Sequence, residues 1–88
     1  MAGQPQLREA AWLYAPGDAF VPVAVVRLVE RMDGTGVWQV LMNSPAEHQE
    51  PKVWERPDKR AARAVLDDLY AEGRDKGGRW KVTQYGEQ

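Results

Sequence analysis

Four tryptophans, Trp12, Trp38, Trp54 and Trp80, each fall in a separate short stretch that otherwise reads as β-strand. A buried tryptophan removes about 150–250 Å² from water. A chain of 88 residues has few other means of building a core. The fold must therefore bury most of these rings, and at least one can still be spared to face a partner.

The strand-like segments are separated by clear punctuation. Ala11 to Ala15 reads as a short strand or a helical turn, ended by Pro16-Gly17-Asp18. Phe20 to Arg31 is valine-rich and reads as a long strand whose start is restricted by Pro22. Asp33-Gly34-Thr35-Gly36 supplies the positive-φ residues of a hairpin turn, and Val37 to Asn43 returns as its partner. After a polar loop with two prolines, Lys52 to Arg56 is a short strand. Asp58 is placed as a helix N-cap, and Ala62, Val65, Leu66 and Leu69, widened by Ala61 and Tyr70, repeat at the spacing of one buried helical face. The helix ends at Gly73 or runs to Gly77-Gly78, and Arg79 to Tyr85 is the last strand. The expected fold is α+β: a small antiparallel sheet of three to five strands packed on a single helix, in β-β-β-α-β order with an extra N-terminal strand as an option. One domain spans 1–88, with 1–9 and 86–88 as loose tails.

Side chains alternate across a strand, so each strand divides into two sets. Ala24, Val26 and Leu28, Trp38, Val40 and Met42, Val53, Trp80 and Val82 form an apolar set that belongs against the helix. The other set forms the open face. It holds Arg27, Arg31, Lys52, Trp54, Arg56, Lys81 and Tyr85, which we take as partner-binding residues, and Val25, Val29, Val37 and Leu41, which form an apolar association patch. A wet sheet face crossed by long cationic stems accounts for the mixture without any function. The apolar patch nevertheless needs a cover: the segment holding Trp12, Leu13 and Tyr14, a second copy, or a foreign partner.

Charge is uneven along the chain. Residues 1–49 carry three basic and five acidic side chains, residues 50–81 nine and seven, and the net charge is −1. Arg56, Lys59, Arg60 and Arg63 crowd the helix start, against the preference of the helix dipole, and suggest an anion site; local pairing such as Arg63 with Asp67 is the structural alternative.

No catalytic motif, phosphate loop or metal-ligand set stands out. His48 is the only histidine, and Glu47, His48 and Glu50 are the one place where an enzyme would have to be sought. The chain has no cysteine, which removes disulfides, thiolate metal sites and thiol nucleophiles and fits a cytoplasmic protein. Neither a signal peptide nor a membrane span is legible, so a soluble protein is expected.

The succession of a tryptophan-bearing hairpin, a short strand, an alanine-rich helix and a final strand resembles small sheet-plus-helix DNA readers and the WGR domain, over the last half of the chain, through Val53 to Trp80. The Trp-Gly-Arg tripeptide is absent, and the hairpin carries Gly36-Val37-Trp38 instead. The resemblance implies DNA binding. The residues themselves point first to a non-enzymatic binding or regulatory domain, of the bacterial or phage accessory kind, that engages a protein or its own second copy through the open face. Nucleic-acid binding through the same face and the helix start is the alternative, and a small enzyme around His48 the third. No cofactor or metal is expected.

Overall fold

The computed structural model describes residues 4–18, 20–44 and 50–84. Strands β1 (Gln6–Tyr14), β2 (Pro22–Glu30), β3 (Trp38–Asn43) and β4 (Lys52–Arg56) are followed by helix α1 (Lys59–Asp75) and strand β5 (Arg79–Gln84). They make an α+β fold with one five-stranded sheet in the order β4-β3-β2-β1-β5, antiparallel throughout. The optional N-terminal strand is thus real and lies inside the sheet. The loose tail expected over 1–9 is overturned for Gln6 to Glu9, which belong to β1.

Helix α1 carries the chain from one edge of the sheet to the other. Four inter-strand steps of about 4.8 Å need roughly 19 Å. Seventeen helical residues supply about 26 Å, enough to return the chain beside β1. The Asp58 carboxylate caps the helix by accepting a 2.8 Å bond from the Ala61 amide. At the other end the Gly77 amide donates to the Arg74 carbonyl and the Gly78 amide to that of Gly73, with Gly77 at φ +83°. The helix therefore runs past Gly73, which serves a packing role: a Cβ there would lie 2.6 Å from Nε1 of Trp80.

The core joins Ala11, Val26, Leu28, Trp38 and Val40 from the sheet to Ala62, Leu66 and Tyr70 from α1, with Met42, Trp54, Val65, Leu69, Trp80 and Val82 packed around them. Trp80 meets Tyr70 edge to face at 5.0 Å, and its indole N–H donates to the Tyr70 carbonyl.

Alternation assigns β2, β3 and β5 to the faces they occupy and fails at β4. Trp54 pairs with Val40, so Lys52, Trp54 and Arg56 share the helix side, while Val53 pairs with Leu41 and joins Glu55 on the open side. Both sets of this short edge strand carry charge, so charge could not choose between them. Burying an indole outweighs burying an isopropyl group, and at an edge the Lys52 and Arg56 stems reach water beside it.

Candidate binding face

The face turned away from α1 is built in rows across the sheet. One row runs Glu55, Gln39, Val29, Leu7; the next Val53, Leu41, Arg27, Ala10; the third Asn43, Val25, Trp12, Lys81. Much of its apolar surface is open to solvent: Val53 is 48% exposed, Val23 44%, Trp12 37% and Leu7 36%. Val25, directly opposite Trp12, is buried. At the start of β2 the apolar stretch continues through Val21 to Phe20, which is 91% exposed. Asp18 shapes this corner by accepting from the Phe20 and Val21 amides, and those two bonds hold its carboxyl below the usual range.

Trp12, Leu13 and Tyr14 do not fold over the apolar patch, because they lie in β1 beside it. Trp12 enlarges the patch, and Leu13 turns to the helix side opposite Ala24 and Trp80. Of the four tryptophans, Trp38, Trp54 and Trp80 pack with the helix and Trp12 is on the open side.

Trp54, Lys52 and Arg56 are therefore removed from the partner-binding set, and Arg27 and Lys81 stay in it. Arg27 is held by the neutral Asn43 side chain at 3.1 Å. Lys81 is exposed opposite Trp12. Arg31 is drawn into ion pairs with Asp33 and with Glu55, and Gln39 also donates to Glu55. The face thus contains an acid, Glu55. In the apolar patch Val25, Val29 and Leu41 keep their places, while Val37 precedes β3 and its carbonyl accepts from the Arg31 amide. Tyr85, His48 and Glu47 lie outside the described residues, and Glu50 is exposed at the end of the loop.

Three of the four cations at the helix start are engaged, each separately. Arg56 donates to the Glu55 carbonyl. The Lys59 ammonium lies 5.9 Å from the Trp38 ring centroid. Arg63 reaches the sheet and bonds Glu9 at 2.7 Å and Asp67 at 3.2 Å, and Arg60 is exposed. Asp58 already supplies a carboxylate to the Ala61 amide of the first turn, so the charge reversal that suggested a docked anion has an internal answer.

Sequence reasoning missed Glu9. The ladder shifts register at Arg8, so Leu7 opposes Val29 on the open face while Glu9 opposes Leu28 on the helix side. There its buried carboxylate accepts from Arg63 and from the Tyr70 hydroxyl, each at 2.7 Å. Burial first, and this carboxylate second, push the Tyr70 phenol well above its ordinary value. The bond to Glu9 likewise holds the Arg63 guanidinium above its own. A tyrosine on the buried helical stripe signalled that some acceptor had to exist, without saying where.

Among the described residues no cluster of acidic or histidine side chains is arranged to hold a metal ion, and no helix is long and apolar enough to cross a membrane. Compared with known protein families, curated proteins and solved structures, the chain matches none.

Proposed function

We propose that this domain is a non-enzymatic binding module whose working surface is the open sheet face, and that its partner is another protein. The observation that supports this most is the position of Trp12: a large ring left on the uncovered face between Val25 and Lys81, on a face where Trp12, Leu7, Val23 and Val53 are all at least a third exposed. Aromatic anchors of this kind dominate protein interfaces. Arg27 and Lys81, with no carboxylate bonded to either among the described residues, suit a partner that brings acids to the rim of an apolar contact. A second copy stacked in register would oppose Arg27 to its own counterpart, which favours a foreign protein over a homodimer. A regulatory or accessory role in the cytoplasm fits this reading, given a chain without cysteine.

The nucleic-acid reading keeps Arg27 and Lys81 and gains Trp12 as a stacking ring, but loses Lys52, Trp54 and Arg56 to the helix side. A photo-crosslinking residue at position 12, with a control at the exposed helical position 64, tests the choice. A defined protein adduct at 12 that survives high salt and disappears in Val53→Glu supports the proposal. Tight binding of a labelled oligothymidylate that weakens by orders of magnitude between about 50 and 200 mM salt, with no protein adduct, would overturn it.

A further inference from the structure

The two edges of the sheet are built differently. The β4 edge is five residues long, is bracketed by Pro51 and Pro57, and carries Lys52, Glu55 and Arg56. Prolines lack the amide a new strand would need, and mixed charge deters pairing. The β5 edge has no proline from Arg79 to Gln84 and, among the described residues, pairs on one side only, with β1.

On β5 the side chains of Arg79 and Lys81 fall on alternate positions and are exposed. Their neighbours on β1 are Tyr14 and Trp12, neither of them acidic, and neither cation forms an ion pair among the described residues. Between them Trp80, and after them Val82, lie half-buried on the helix side. An open hollow of about 380 Å³, lined by Tyr14, Arg79, Trp80 and Lys81, adjoins the start of this strand.

We propose that the β5 edge captures an extended acidic segment of a partner protein as a sixth strand. Backbone hydrogen bonds to the free edge hold the segment. Carboxylates at alternate positions stand across from Arg79 and Lys81, and apolar side chains between them extend the surface of Trp80 and Val82. The hollow receives the side chain at the end of the segment. A second copy is the poorer occupant: antiparallel pairing of β5 with itself, centred on Lys81 or Val82, sets Lys81 opposite or diagonal to its own counterpart. The cations that keep copies apart thus select the acidic strand. The proposal goes beyond the open-face reading, since it uses the sheet's edge and none of the face's apolar anchors.

The test is a titration of the isotopically labelled full chain with capped hexapeptides followed through amide resonances. Three peptides are compared: alternating glutamate and valine, alternating lysine and valine, and the glutamate peptide N-methylated at every second residue. The expected result is that the glutamate peptide shifts the amides of 79–84 most, that the other two bind at least about tenfold more weakly, and that Arg79→Glu with Lys81→Glu reverses the preference in favour of the lysine peptide. Both residues are exposed, so the variant's spectrum should remain that of the folded protein. No binding of the glutamate peptide, or equal binding of the glutamate and lysine peptides, overturns the proposal. Undiminished binding of the N-methylated peptide, with shifts centred on Trp12, Val25 and Leu41, overturns the edge while leaving the open-face reading standing. Displacement of the glutamate peptide by an oligothymidylate that shifts the same β5 amides more strongly assigns the edge to nucleic acid and also overturns it.

Discussion

The Tyr70 hydroxyl donates a 2.7 Å hydrogen bond to a carboxylate oxygen of Glu9, sixty-one positions earlier in the chain. It ties the middle of α1 to a strand that sits between β2 and β5. Arg63 bonds the other carboxylate oxygen and balances its charge. Removing Glu9 leaves the buried Tyr70 hydroxyl without its acceptor, whereas Arg63 is partly exposed and keeps Asp67; removing the Tyr70 hydroxyl takes one of two donors from the buried Glu9 carboxylate. Glu9→Leu should cost about 2–4 kcal/mol and Tyr70→Phe about 1–2 kcal/mol in urea unfolding. Losses under about 0.5 kcal/mol for both would show that the network contributes nothing to stability.

Tyr70 also sets an alkaline limit. Its phenol is raised in the folded state, by burial and then by Glu9, so above about pH 10 the unfolded chain loses that proton more readily than the folded one. The neutral phenol's contribution is fully present below that pH and is lost as pH rises. Thermal unfolding of wild type should therefore fall more steeply than that of Tyr70→Phe above about pH 10, and parallel curves would contradict this account.

Two tryptophans should separate in denaturant titrations. Trp54 packs with the core and Trp12 does not. Trp54→Ala is expected to cost about 3 kcal/mol, and Trp12→Ala no more than half of that, with its main effect on partner binding. The reverse order would mean that β4 shows its other side to α1.

Gly73→Ala provides a change of sign. Alanine is the better helix former by about 1 kcal/mol, yet its Cβ would press on the Trp80 indole at 2.6–2.9 Å and threaten the bond from Nε1 to the Tyr70 carbonyl. We expect net destabilisation of about 1–3 kcal/mol. In a Trp80→Val background the same substitution should become neutral or stabilising. A double-mutant cycle by thermal denaturation checks this, and additivity would disprove the contact's role.

What could be read in advance followed from periodicity and from residues with one strong local preference. The β2–β3 hairpin was legible because Gly34 and Gly36 take the positive φ their turn demands, and α1 because Asp58 and the stripe through Leu66 mark its start and its face. β1 was hidden because Gln6, Arg8 and Glu9 are polar and its alanines favour helix, and the shift at Arg8 breaks the alternation that would have exposed Glu9. For β4, the side facing α1 was decided by a long-range choice between Val53 and Trp54, which no local pattern encodes. The candidate site was legible to the same extent: Arg27, Lys81, Val25, Val29 and Leu41 were placed on the right face, and its tryptophan was misassigned to Trp54 when the structure puts Trp12 there.

The position of β1 also bears on how the protein is made. A nascent chain can close the hairpins from β1 to β4 as they emerge, because each strand pairs with the one before it. The far side of β1 must wait for the last strand to leave the ribosome. Until then its backbone amides stand open along Ala10 to Tyr14, and the groove at Gly73 lacks the indole that fills it. A stall or a cut at Gly78 would thus leave not a smaller version of this protein but a sheet with an inner strand turned outward, ready to pair with whatever strand it meets first.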